Sequence, residues 1–161
     1  MRLKRAQGKM LSAGLILILI LIDQASKAWA LSALNETNGY AIPVINGIVR
    51  FQFAWNAGAA FSFLKDAPYI VFALSAVVLF LVALIVFLSR TLNAKTRLCL
   101  SMVFAGGLGN LIDRVRFQAV VDFIKLEFIS FPVFNFADIC VTVGALLLIL
   151  CVYIPSGRGM E

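Results

Sequence analysis

The chain has 161 residues, of which 62% are hydrophobic and only 14% charged, and its mean hydropathy of +0.99 excludes an ordinary soluble domain, which needs far more polar surface. The formal charge of +6 does not point to nucleic acid, because the basic residues sit in short clusters beside apolar runs and form no stripe interleaved with stacking aromatics. The absence of histidine excludes Ser-His-Asp and Cys-His catalysis and His-ligated zinc.

Four apolar stretches approach the roughly 20 residues a helix needs to cross a bilayer: about 10–30, 68–88, 96–112 and 137–154. The first follows Arg2, Lys4, Arg5 and Lys9 and ends in Ala28-Trp29-Ala30, a pattern that a cleavable signal peptide also shows. Asp23 and Lys27, which precede that site, and the three later stretches favour a retained helix. Asp23 and Lys27 are four residues apart with the acid first, so they share one helix face in the better orientation. An interfacial ion pair with a snorkelling lysine accounts for them as well as a functional pair does.

In the long connection 31–67, Val49, Phe51, Phe53 and Trp55 alternate with Arg50, Gln52 and Ala54, a period-two strand pattern. The following residues 56–62, Asn56 to Ser62, suit a tight turn entering a short interfacial helix. The third stretch is short and carries Gly106, Gly107 and Gly109, then Asn110, Asp113 and Arg114. Gly106, Asn110 and Arg114 share a face, and Ala105 with Gly109 forms a second pair of small residues. Both patterns serve close helix packing even without a function. The glycines end a span and do not follow a strand, so they are no dinucleotide loop. Polar groups at a membrane boundary are nonetheless functional candidates.

Residues 121–128 alternate again and place Asp122 on the side of Ile124, Leu126 and Phe128, out of place for a solvated strand. Asp138 opens the fourth stretch after Phe134, Asn135, Phe136 and Ala137. Two carboxylates in a partly dry site share a proton and titrate as a unit, leaving one base to activate water and one acid for a leaving group. The competing reading makes both of them ordinary acids at element ends. Cys99, Cys140 and Cys151 lack CxxC spacing and read as small packing residues.

Basic residues set the orientation. Arg2, Lys4, Arg5 and Lys9 fall on one side with Arg90, Lys95, Arg97 and Arg158, so both termini are expected in the cytoplasm. Asp23, Glu36, Asp66, Asp113, Asp122, Glu127 and Asp138 fall at the outer side, and Glu161 alone inside. The expected fold is therefore a membrane protein, all-α with a small β part: a single domain over residues 1–161, a four-transmembrane-helix bundle. An extracytoplasmic β-sheet and a short interfacial helix would come from about residues 43–67 and 114–136.

Together, Asp23-Gln24-Ala25-Ser26-Lys27, the 56–62 segment, residues 106–114, Val120-Val121-Asp122-Phe123 and Phe134-Asn135-Phe136-Ala137-Asp138 resemble the lipoprotein signal peptidases, the type II signal peptidases of bacterial cell membranes. Each motif alone is weakly specific, but five in the family's order and spacing are not. One departure is Leu108, where the family commonly has alanine. The resemblance implies an aspartic endopeptidase of the bacterial cytoplasmic membrane. It would remove the signal peptide from prolipoproteins, cutting just before a cysteine that carries diacylglycerol. By the same resemblance Asp122 and Asp138 are the catalytic dyad, Asn56, Asn110, Arg114 and Asn135 orient substrate and aspartates, and Asp23 with Lys27 braces the site. No metal or organic cofactor is implied; membrane lipids and globomycin-type cyclic peptides are implied partners.

Two other classes compete. A small ion- or proton-coupled transporter places ionisable groups near mid-bilayer, whereas the middle of every apolar stretch here is apolar. A non-enzymatic assembly factor uses the same motifs for packing alone.

Overall fold

The computed structural model describes residues 2–34, 41–58 and 68–153. The expected surface helix after residue 58 lies outside the described residues, as do Glu36, Asp66, Arg158 and Glu161. The chain runs α1 (Arg2–Ala33), β1 (Ile42–Ile45), β2 (Val49–Asn56), α2 (Pro68–Leu88), α3 (Ala94–Phe117), β3 (Val120–Leu126) and α4 (Phe136–Tyr153). Among the described residues three helical segments are long and apolar enough to cross a membrane: Ala6–Ala33, Tyr69–Leu88 and Ala94–Phe117. A shorter apolar stretch, Phe136–Cys151, occupies most of α4.

Local chemistry explains the helix ends. The side chain of Asn93 accepts from Thr96 N at 2.8 Å and starts α3, satisfying one of the backbone donors a helix leaves free. Arg97, one turn on, donates to the carbonyls of Val86 and Ser89, where α2 ends. At the other end of α3, Gln118 takes a left-handed conformation (φ 59°) and its N–H returns to Arg114 O, while Arg114 and Arg116 complement the negative end of the helix dipole. Asp113 and Arg114 are thus helical, although the apolar stretch ends near residue 112.

Helix α3 packs against all three other helices, and glycines permit it. A Cβ on Gly106 would strike Ala137 O and lie 2.9 Å from Val141 in α4, one on Gly107 would lie 2.5 Å from Leu79 in α2, and one on Gly109 would strike the Asp23 carboxylate in α1. Each glycine lets a different neighbour approach, and the approach at Gly109 brings the buried charges together.

The three strands form one antiparallel sheet in the order β1-β2-β3. The pairing of β2 with β3 shifts between Phe51 and Ala54. Such a bulge re-aims side chains: Phe51 and Phe53 both pack on the cluster of Ala30, Leu34, Val121 and Phe123, while Ala54 lies opposite Asp122. Trp29 meets Phe51 and Phe123 edge-on, with centroids 5.1 and 6.2 Å apart, so the last turns of α1 carry the sheet. Val120, Val121, Asp122 and Phe123 are all buried, because β3 is enclosed on both faces. Strand β1 is wholly exposed and contains Pro43, so it offers no alternation from which a strand is readable.

Candidate active site

Each aspartate of the expected pair is held by amides. Asp122 Oδ2 accepts from Asn56 Nδ2 at 2.9 Å and Oδ1 from Asn135 Nδ2 at 2.7 Å. Asp138 Oδ1 accepts from Asn110 Nδ2 at 2.8 Å and Oδ2 from the Asn135 backbone N at 3.1 Å. Asn135 therefore serves both carboxylates. It also caps α4, since its Oδ1 accepts from Asp138 N at 3.0 Å. With the return bond from Asp138, this is a reciprocal capping arrangement. The same sequence signal that starts the helix delivers Asp138 to Asn135 and, through it, to Asp122.

Beneath this pair lies a charged cluster. Lys27 Nζ sits 3.0 Å from Asp23 Oδ2, 3.0 Å from Asp113 Oδ2 and 2.9 Å from Asn110 Oδ1, which uses all three of its protons. Lys27 is 2% exposed, Asp23 and Asp113 1% each. Because Asn110 Oδ1 accepts from Lys27 and from Asn135 Nδ2 (3.1 Å), its amide nitrogen is turned toward Asp138. Asp23 Oδ1 accepts from Ala137 N at 3.0 Å, binding α1 to the first turn of α4. Asp113 Oδ2 accepts from Val121 N at 3.1 Å, clasping β3 next to Asp122.

Asp122 stands outside the helices, and its carboxyl is pushed up to about 7. Burial is the main cause, the Asp138 charge adds to it, and the amides of Asn56 and Asn135 and the Lys27 charge pull the other way. Asp122 thus carries a proton at neutral pH more readily than an ordinary aspartate. Arg114 sits at the edge of the network, with one long contact to Asn110 O (3.5 Å). It lines an adjacent cavity of about 250 Å³ with Ala57, Tyr69, Val71, Phe72, Val115 and Gln118. Among the described residues no group of three or more His, Cys, Asp or Glu side chains is placed to hold a metal ion.

Of the eight residues to which the resemblance gives roles, seven are joined in this network and Arg114 borders it. Two others belong to it. Asp113 is one, and Gln24 is the second, donating to Asp113 Oδ1 and Asp23 Oδ2 at 3.1 Å each. Asp113 stood in the sequence beside Asn110 and Arg114 as a polar candidate at the membrane boundary but with no role assigned; Gly106, Gly109 and Asp113 fall at i, i+3 and i+7 on one face of α3.

The profile of the family described as Signal peptidase (SPase) II matches residues 15–154. Relatives named lipoprotein signal peptidase from Streptococcus pyogenes serotypes M6 and M3 are 37% and 36% identical over 146 residues, covering 89% of this chain and 93% of theirs. Two solved bacterial membrane enzymes share the fold. One, at 2.3 Å resolution, has a TM-score of 0.82 and 26% identity over 94% of both chains. The other, at 1.9 Å, has a TM-score of 0.81 and 28% identity over 91% of this chain and 94% of its own. The resemblance carried by five short motifs thus extends over nearly the whole sequence and the whole fold, and the chain belongs to the signal peptidase II family of membrane aspartic peptidases.

Proposed function

We propose that Asp122 and Asp138 are the catalytic pair with which the enzyme cleaves prolipoprotein signal peptides, the substrate being modified with diacylglycerol and cut just before the lipid-bearing cysteine. The observation that carries this reading is the shared partner: Asn135 donates to both carboxylates, one through its side chain and one through its backbone. In the proposed reaction Asp138 accepts a proton from water as its oxygen attacks the scissile carbonyl carbon. Asp122 donates its proton to the carbonyl oxygen. As the tetrahedral intermediate collapses, Asp138 passes the proton it took from water to the leaving amine, the C–N bond breaks, and the oxygen that becomes carbonyl again returns its proton to Asp122. Asn56, Asn110 and Asn135 hold the two carboxylates, Asp23 and Lys27 brace Asn110 and the start of α4, and Arg114 faces the substrate from the adjacent cavity. Globomycin-type cyclic peptides would occupy the same place.

In this reading all four helices span the bacterial cytoplasmic membrane, both termini are cytoplasmic, and the sheet and catalytic pair lie at the extracytoplasmic face. Cleavage at a boundary avoids moving charge to the bilayer centre. Purified enzyme in micelles is expected to release the signal peptide from a diacylglyceryl-modified prolipoprotein and to leave the unmodified precursor largely intact; equal cleavage of the two would remove the lipid requirement. The side is checked separately. In a chain whose native cysteines are replaced, Ser32→Cys at the exposed outer end of α1 should react with an impermeant maleimide in intact spheroplasts. Labelling only after permeabilisation would reverse the orientation.

A further inference from the structure

Four residues along β2 from Ala54, roughly 13 Å at strand rise, Arg50 lies directly opposite Lys125 of β3. Two cations facing each other across a strand pair repel. Their local compensation is partial. Glu127 Oε1 lies 3.4 Å from Arg50 NH1, while Glu127 Oε2 accepts from Gly47 N at 2.9 Å. Lys125 Nζ donates to the Phe131 carbonyl at 2.6 Å, a neutral partner. Arg50 Nε is buried and has no hydrogen-bond partner among the described residues. These groups line an open cleft of about 450 Å³ with Phe128, Ile129 and Ser130, and Arg50, Lys125 and Glu127 together carry one net positive charge.

Apolar side chains surround the cleft. Glu127 N donates to Ile48 O at 2.9 Å, which with the Gly47 bond ties the β1–β2 turn to this end of the sheet. Gly47 permits the turn with a φ of +73°. The turn carries Ile45 and Ile48, exposed by 53% and 46%, and its bond from Glu127 N ties Ile48 to the strand end that leads into Phe128 and Ile129, exposed by 61% and 46%. A recess lined by a guanidinium and an ammonium matches a phosphodiester, and an exposed apolar rim matches the acyl region next to it. A free phosphate accounts for the recess but not for the rim.

We propose that this cleft is a lipid-binding site that takes the phosphate headgroup of an anionic phospholipid, with Ile45, Ile48, Phe128 and Ile129 seated among the acyl chains. The site anchors the far end of the sheet to the bilayer while the near end holds Asp122. It rests on the reading that the sheet lies against the membrane surface.

Native mass spectrometry of the full chain in micelles, with equal amounts of phosphatidylglycerol and phosphatidylcholine, tests it. The enzyme should retain phosphatidylglycerol about fivefold over phosphatidylcholine, the scale expected of one net interfacial positive charge. The Arg50→Gln/Lys125→Gln variant should bring that ratio near one, with micellar peptide cleavage unchanged. Ile48→Ser/Phe128→Ser should keep the ratio but weaken retention of both lipids. A ratio unchanged by the charge variant would overturn the site. Displacement of the lipid by millimolar inorganic phosphate, together with no effect of the apolar variant, would overturn the lipid as its occupant. A dimer that disappears in either variant would assign the surface to a second copy instead. Lipid retention is read without peptide substrate, so its failure and a failure of the peptidase reading are separate results.

Discussion

Asp122→Asn is expected to lower kcat/KM for release of the signal peptide by at least about 10³-fold, and Asp138→Asn by a similar factor, because the two groups act as one unit. Asparagine keeps the size at either position but can accept at only one of the two places where the carboxylate does, since its amide nitrogen donates, so the thermal transition of the micellar protein checks that the fold survives. Full activity in either variant would sink the dyad. The pH profile adds a second test. Burial holds the Asp122 proton up to about pH 7, and the proposed reaction uses the protonated form. The kcat/KM of the unsubstituted enzyme should therefore fall as pH rises through about 7. The Asn56 amide favours the ionised form of Asp122. Asn56→Ala should accordingly move that falling limb to higher pH; a shift downward would contradict the assignment of the limb to Asp122.

Lys27→Met should be the most damaging change for stability. It leaves Asp23 and Asp113 buried at 1% exposure without the ammonium that sits 3.0 Å from each. Breaking a buried pair by removing one partner costs about 3–5 kcal/mol, which in a chain of this length corresponds to roughly 10 °C in the thermal midpoint. Adding Asp113→Asn should recover part of the loss, since it removes one stranded charge while Asn Oδ1 still accepts from Val121 N. If the two losses simply add, the three groups are not coupled. Activity should fall as well. Without Lys27, the Asn110 carbonyl keeps only Asn135 Nδ2 of the two donors that turn its amide toward Asp138.

These two experiments probe parts of the protein that were unequally legible. Asp122 and Asp138 stood out because each is a carboxylate set in an apolar pattern. Lys27 was visible with Asp23 from their i, i+4 spacing, but its second carboxylate, Asp113, lies 86 positions away and meets it through the packing of α3 on α1. Gln24 entered only as a member of the Asp23–Lys27 motif, with no role of its own; an amide on a partly polar helix end is ordinary until its acceptors on Asp23, Gly109 and Asp113 are in place. Strand β1 was unreadable for another reason: with every side chain exposed and a proline inside, it pairs through backbone alone.

The amino-acid sequence by itself determined the class of molecule and its chemistry. Apolar runs near bilayer length leave the membrane as the only solvent that suits them, and the lack of histidine excludes His-dependent catalysis and directs attention to two displaced aspartates. Only the tertiary structure decided how those aspartates are held. Glycines at 106, 107 and 109 let α3 touch three helices at once, a bulge in β2 turns Ala54 toward Asp122 while Phe51 and Phe53 cover the core, and Asn135 serves as helix cap and carboxylate bridge together. Hydrogen-bond direction at a buried amide depends on every neighbour it has, and most of those neighbours are remote in the chain.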